Sequence, residues 1–423
     1  MTFKYAIGSS SDWDPSIAAE ESIKEALEHI TDKPSFILFF STIHYEKNRG
    51  FNKILKMIYQ KVPPKTPLIG STVAGFLNKK GVHTRGITIL VAYSNEIEIS
   101  LGLGKNTKRN PIKAAQECAT AIKKNEGKLK NKIIINFTSG PTKPNFPLIG
   151  KKWVIKSGIL GSLSVPLMDF STKYLQLGYG REEEVLREIT KLLPEYSLIG
   201  GSASDDNQVM RNYVFYNNSI LKNSIACLSF STNLNIDLFT VNGLINTGKE
   251  LTINKMDNKG RIIFKINNKA ASTAFVEALG LSENQIDESL HRKTWFYPLA
   301  YVNEDKKICP AAAGAFLDKA FAFSYGVESN KLNLMLFSGK EMLRETQETL
   351  EKIRLKKPKF IFSVSCCSWI ETLGRKLYKI HDLMNNSFKD TPFLVVYALG
   401  EELKENNKKP CHLNESFNFL TLS

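Results

Sequence analysis

The sequence predicts a mixed α/β protein: layered mixed β-sheets covered by helices, an internal duplication in the N-terminal part, and a second α/β domain after it. Three observations carry this expectation. First, three apolar runs rich in Ile, Val and Phe are each answered later by a run that reaches a glycine. The pairs are Pro34 to Ser41 with Pro67 to Thr72, Lys132 to Ser139 with Ser197 to Ser202, and Pro358 to Ser365 with Pro392 to Glu401. Runs of this length read as buried strands. Second, stretches of helical periodicity lie between them. Third, further apolar or alternating runs follow the first two pairs, so the sheets are expected to mix parallel and antiparallel strands.

In order, Ala6-Ile-Gly8 is a first strand, and Asp14 before Pro15 starts a helix with Ala18, Ala19, Ile23, Ala26 and Leu27 on one face. Phe36 to Phe40 is the next strand, and Arg49 to Tyr59 the next helix, with Phe51, Ile54, Leu55 and Ile58 inward. Gly86 to Tyr93 and Ile97 to Leu103 predict an antiparallel pair. A helix over Pro111 to Lys123 precedes the strand Ile133 to Phe137, and Asn212 to Phe215 with Ser224 to Phe230 predict a second hairpin. Residues 1–125 and 126–231 thus read as two variations on one plan within a domain of residues 1–231.

A polar seam at Ser231 to Asn235 separates a second domain, residues 232–423. It holds strands over Gly243 to Asn254 and Arg261 to Ile266, and a helix from Ala270 to Leu279 started by Asn267 or Asn268. Then come a helix over Gly339 to Arg354, the strand Phe360 to Val364, a helix from Ser368 to Met384 and the strand Phe393 to Leu399. A βα…βαβ order supports an α/β domain here too.

At 423 residues, 42% apolar and 23% charged, the chain has the composition of a folded protein of more than one domain. Its net charge of +15 is spread over lysines along the whole length, with no basic stripe interleaved with aromatics. Nucleic-acid binding is therefore not expected. Six cysteines are too few for a secreted disulfide framework. The N-terminus lacks a signal-peptide layout, and no apolar run approaches the roughly 20 residues that span a bilayer. A cytoplasmic location without membrane insertion is the expectation.

The segment Gly200-Gly201-Ser202-Ala203-Ser204-Asp205 is the strongest local candidate for binding. Adjacent glycines let successive amides converge on an anionic group, and the hydroxyls and carboxylate add donors and an acceptor; a plain tight turn is the structural alternative. Gly70-Ser71-Thr72 recurs in the matching place. No nucleotide motif accompanies either: Gly102-Leu-Gly104 lacks a third glycine, and no Gly-Lys pair is followed by Ser or Thr. Cys366 and Cys367 end a strand, where ligands of open α/β sheets bind. A buried core pair is the alternative, and a nucleophile would need a base such as His412 or Glu371. Among six histidines only Cys411-His412 has a ligand-type neighbour, and adjacent placement suits one ion poorly, so no metal is expected.

Several of these segments, in this order, resemble the FIST family, the sensory domains named for F-box and intracellular signal transduction. They are Gly8-Ser-Ser-Ser-Asp12-x-Asp14-Pro15-x-x-Ala18-Ala19, Leu68-Ile-Gly70-Ser71-Thr72-x-Ala74-Gly75, Leu198-Ile-Gly200-Gly201-Ser-Ala-Ser-Asp205, and Leu399-Gly400-Glu401 with Cys411-His412-Leu-Asn414. Residues of about 20 to 230 resemble the N-terminal FIST domain and about 231 to 405 the C-terminal one. The resemblance implies a cytoplasmic, non-enzymatic sensor of a small polar metabolite, an amino acid or similar, that signals through a separate protein partner. It also implies an alternative, since a subgroup is described as haem-based nitric oxide sensors; a single axial histidine would serve such a haem. A cysteine-dependent enzyme at Cys366 and a scaffold without small ligand are the further readings. One departure stands out: FIST C-terminal domains usually follow the strand-end cysteine with Gly-Arg, whereas this chain has Cys367-Ser368-Trp369. The missing guanidinium either argues against an amino-acid ligand or shifts carboxylate binding to the amides of Gly200 and Gly201.

The expected ligand site therefore comprises Gly70, Ser71, Thr72, Gly200, Gly201 and Ser202 as donors. Asp205 and Glu401 are the acceptors, and Cys366, Gly400 and His412 form the floor.

Overall fold

The computed structural model describes residues 3–423 apart from 31, 144, 147–149 and 157. Among the described residues, three six-stranded sheets repeat one plan. At the centre of each lies a parallel pair: Phe36–Ser41 with Leu68–Thr72 in sheet I, Asn131–Ser139 with Ser197–Ala203 in sheet II, and Phe360–Cys366 with Leu394–Ala398 in sheet III. These are the three apolar runs and their glycine-reaching partners. The first strand of each pair is flanked antiparallel by Ile87–Ser94, Ser224–Thr232 or Phe417–Leu422. Beyond those lie Phe3–Ser10, Ile97–Lys105 and Ile236–Val241.

The opposite edge of each sheet comes from elsewhere in the chain. Gly75–Asn78 and Gly81–His83 follow the parallel pair of sheet I but complete sheet III. Val214–Tyr216 and Ser219–Leu221 follow that of sheet II but complete sheet I, and Glu401–Lys404 with Cys411–Leu413 follow that of sheet III but complete sheet II. The exchange is cyclic.

Two expected hairpins are corrected by this topology. Ile87–Ser94 does not pair with Ile97–Lys105: it is buried along nearly its whole length and finds partners on both sides within sheet I, while Ile97–Lys105 is an edge strand of sheet II. Val214–Tyr216 pairs with Ser219–Leu221 and Leu68–Thr72 rather than with Ser224–Thr232. Short polar links carry the chain from sheet to sheet, which apolar periodicity cannot distinguish from hairpin turns.

Side chains alternate across each strand, so each sheet has an inner and an outer face. The inner faces meet in one core, with Leu38 and Phe40 from sheet I, Ile135 and Phe137 from sheet II, and Phe362 and Val364 from sheet III. Phe40 lies 4.9 Å from Phe137 and 6.0 Å from Phe362, centroid to centroid. Helices cover the outer faces. Pro15–Glu28, Pro111–Lys124 and Gly339–Leu355 occupy matching places, each opened by a capping side chain: Asp14, Asn110 and Ser338 accept from Ile17 N (3.1 Å), Lys113 N (3.1 Å) and Glu341 N (3.4 Å). The helix expected over Ser368 to Met384 is broken at Gly374, whose φ of 50° ends Ser368–Leu373 before Tyr378–Ser387 begins. Asn267 and Asn268, at φ of 49° and 60°, form a strand turn, and the helix after them starts at Ala271.

Between the first strand and first helix of the third unit, residues 244–337 build a separate sheet with its own core of Phe275, Phe316, Phe321 and Tyr325. Val154–Ile155 joins it at one edge, parallel to Ala313–Leu317. Asn414 ties it to sheet II by accepting from Ala312 N (3.2 Å) and Ser324 Oγ (2.7 Å). No described helix is long and apolar enough to cross a membrane.

Candidate cavity beside the glycine exits

The glycine-reaching runs meet in space. Ser204 N donates to Thr72 O (2.9 Å), Ala74 N to Tyr397 O (2.9 Å), and Ser202 N to Gly400 O (2.8 Å). Their amides are thereby committed to one another. Gly200 and Gly201 lie within a strand paired on both sides, by Asn131–Ser139 and Glu401–Lys404. Glycine is needed there for close approach: a Cβ on Gly200 would lie 2.1 Å from Asn136 Oδ1, and one on Gly70 would lie 1.7 Å from Phe39 O. Ser71 is buried, and Thr72 Oγ1 accepts from Tyr213 N at 3.0 Å. The Asp205 carboxylate accepts from Val209 N (2.8 Å), Met210 N (2.7 Å) and Arg211 N (3.1 Å), which closes its own loop, although burial raises its pKa. Glu401 is fully buried, with its pKa well above the ordinary carboxyl range, and accepts from Ser416 N (3.1 Å) and Oγ (2.9 Å).

Beside these exits lies a cavity of about 860 Å³, its mouth included. Of the expected site residues, Ser202, Cys366, Gly400 and His412 line it, and the other seven do not. One flank is aromatic. His291 stacks face to face on Trp153, with centroids 4.0 Å apart and planes 9° apart, and meets Trp295 edge-on at 5.4 Å. Burial lowers the His291 pKa to about 3, so the ring is neutral. The inserted sheet supplies a second wall of small residues, Ala312 to Ala315, and Met168 and Tyr179 close the side.

Ionisable groups converge at the far end. Glu182 is buried, accepts from Ser202 Oγ at 3.1 Å, and has its pKa raised by burial. Burial opposes charge on His412 as well, but Glu402, Glu182 and Glu183 outweigh it and raise the imidazole pKa; His412 Nδ1 stands 3.8 Å from Glu402 Oε1. Behind Glu182, Glu183 pairs with the buried Arg261, whose Nη1 donates to Gly180 O at 2.7 Å and whose guanidinium lies 4.4 Å over the Tyr179 ring. Lys108 is also buried, its pKa pushed down to about 8, and it donates to Thr142 Oγ1 at the rim (3.4 Å).

Glu415 also lines the cavity. Burial pushes its carboxyl up to about 8, and Oε2 has no partner. Its protonated form therefore contributes stability that is fully present below the ordinary 4.5 and lost as pH rises toward about 8. Glu415→Gln, which keeps the shape without the charge, is expected to raise the thermal midpoint at pH 8 and leave it nearly unchanged at pH 4.5, in melting curves recorded across that range.

Burial and the neighbouring Cys367 push the Cys366 thiol well above its ordinary pKa, unlike an activated nucleophile. Of the bases named for it, Glu371 is engaged by Arg292 and by Asn207 Nδ2 (3.1 Å). Among the described residues, no group of three or more His, Cys, Asp and Glu could hold a metal ion. Sequence reasoning missed Trp153, Glu182, Arg261, His291, Trp295 and Glu415. The run Ala311-Ala312-Ala313-Gly314-Ala315 and the i, i+4 pair His291 and Trp295 were the available signals.

The FIST N domain family model matches residues 35–269, more than half of the chain. No curated protein matches it. Among solved structures it is similar to cyanuric acid hydrolase from A. caulinodans, at 8% identity and a TM-score of 0.24 over 54% of this chain and 71% of that one. PurLQS from Thermotoga maritima is similar at 9% identity and 0.22, over 100% of this chain and 72% of that one. PurL from T. maritima complexed with ATP follows at 10% identity and 0.21, over 99% and 71%. TM-scores this low transfer neither fold nor function.

Proposed function

The chain belongs to the FIST family, whose sensory domains bind small ligands, and on that footing we propose that the cavity holds a small amine-bearing metabolite, an amino acid or similar. The observation that supports this reading is the interaction of Glu182 with His412 in the wall of a largely apolar, aromatic-walled cavity that Glu415 also lines. A concave apolar space with a few convergent polar groups is the general form of a small-ligand site. Glu182 and Glu415 are held toward their neutral forms by burial, so an arriving ammonium takes the place of a proton and forms an ion pair. The imidazolium of His412 complements a carboxylate. Trp153 and His291 present a flat surface to the ligand's side chain.

Binding is read here as non-enzymatic and cytoplasmic, with the signal passed to a separate protein. Haem suits these residues poorly: iron requires a neutral imidazole, whereas the carboxylates around His412 favour its protonated form and His291 lies flat on Trp153.

Thermal-shift screening with free amino acids and small amines tests the reading. A ligand at about 100 times its Kd stabilises the folded state by about 2.7 kcal/mol, a rise of several degrees. The expected hit loses most of its effect in Glu182→Gln and in Ala313→Trp, which fills the cavity. A hit that stabilises both variants as well as the parent protein sinks the site.

A further inference from the structure

A second cavity, about 1170 Å³ with its mouth, lies on the other side of His412 and is polar. Cys309 and Cys411 both line it. Cys309 sits on Ile308–Ala311 of the inserted sheet and Cys411 on Cys411–Leu413 at the edge of sheet II, two strands that pack against each other, and each thiol perturbs the ionisation of the other. The Cys411 sulfur also accepts from Asn303 Nδ2 at 3.6 Å, and the Cys309 thiol donates to Lys307 O at 3.7 Å. The other four cysteines are placed differently. Cys118, on the inner face of the helix Pro111–Lys124, and Cys227, on the strand beneath it, have no exposure, whereas Cys309 and Cys411 are buried in the wall of the second cavity. Cys366 and Cys367 are chain neighbours, where a disulfide would close a small strained ring.

We propose that Cys309 and Cys411 form a thiol–disulfide exchange site for low-molecular-weight disulfides. The Cys411 thiolate attacks one sulfur of the small disulfide, breaking its S–S bond and releasing one thiolate, which takes up a proton. A mixed disulfide is left on Cys411. Cys309 then loses its proton and attacks Cys411 Sγ, which releases the second half as a thiol. The protein is oxidised by two electrons and two protons, and the small disulfide is reduced to two thiols. Attack from Cys411 fits its surroundings, since Cys309 and the nearby Lys307 favour its thiolate. An S–S bond of about 2.05 Å needs Cα atoms within about 7 Å of each other, and the two strands that carry these cysteines are in contact. The new bond would join the inserted sheet to the strand carrying His412, and so reach the wall of the ligand cavity.

The folded full chain is incubated with oxidised glutathione, alkylated under denaturing conditions and weighed, with peptide mapping. Alkylatable cysteines are expected to fall from six to four, with a dithiothreitol-reversible link between the Cys309 and Cys411 peptides. Cys309→Ser is expected to keep one glutathione on Cys411, because nothing resolves the mixed disulfide. Six alkylations after incubation, or a link confined to other cysteines, overturns the proposal. The wild-type measurement decides this even if the variant does not fold, and it is independent of any ligand in the first cavity.

Discussion

Gly201→Val is expected to lower the urea midpoint by the equivalent of at least about 3 kcal/mol, or to prevent folding altogether. A Cβ at this position meets Ala398 Cβ at 2.8 Å, Gly400 O at 2.9 Å and Val364 Cγ1 at 2.9 Å. None of these is the free end of a flexible side chain, and valine adds two methyl groups beyond the Cβ. All three neighbours belong to sheet III or its continuation, so the strain falls where two sheets touch. Were Gly201 instead a ligand-facing amide on an open turn, valine would abolish binding and leave the fold intact. Equilibrium unfolding separates the two: a variant with the parent midpoint and no ligand response would restore the turn reading.

Arg261→Met is expected to cost about 3–5 kcal/mol, read by the same unfolding experiment. The guanidinium is 2% exposed and is the partner of Glu183, whose side chain is itself 11% exposed. Removing it strands a buried charge, which is far more costly than never having had the pair. Burial works against the charge on Glu183, but Arg261 outweighs it and holds the carboxyl below its ordinary 4.5. The stabilisation from this pair is therefore present above that pH and lost as pH falls through the folded value. Adding Glu183→Gln to Arg261→Met should recover most of the loss, because the stranded charge is gone. A double variant as unstable as the single one would show that packing of the Arg261 stem against Tyr179, not charge, is what matters.

The legible part of this molecule was what depends on local composition. Phe36 to Phe40 is apolar throughout, and Ile133 to Phe137 and Phe360 to Val364 are apolar but for Asn136 and Ser363, because each is the middle of a sheet buried on both faces, and such runs announce themselves. Their glycine-reaching partners were legible for the same reason, and the exits lie beside a cavity that Ser202, Cys366, Gly400 and His412 line. The role of Gly200 and Gly201 was not legible, because whether an amide faces a ligand or a neighbouring strand depends on a partner some two hundred residues away, Glu401–Lys404. The cavity wall was illegible for a related reason. Ala312 to Ala315 carry no periodic signal, and Glu182-Glu183-Glu184 looks like a solvated helix start until Arg261 and His412 arrive from other sheets. The guanidinium missing after Cys366 has a counterpart one layer behind the cavity, supplied by Arg261 from the inserted sheet.

The cyclic exchange of edge strands also has a meaning in time. As the chain is synthesised, sheet I lacks its edge until Ser219–Leu221 has emerged, sheet II lacks its own until Cys411–Leu413, and sheet III lacks an inner strand until Phe417–Leu422. Sheet II therefore presents Ser197–Ala203 as an open edge over some two hundred residues of elongation, a template for wrong pairing. Closure of such distant contacts is intrinsically slow. The nascent polypeptide is thus vulnerable to self-association along sheet II until Glu401–Lys404 has emerged and paired.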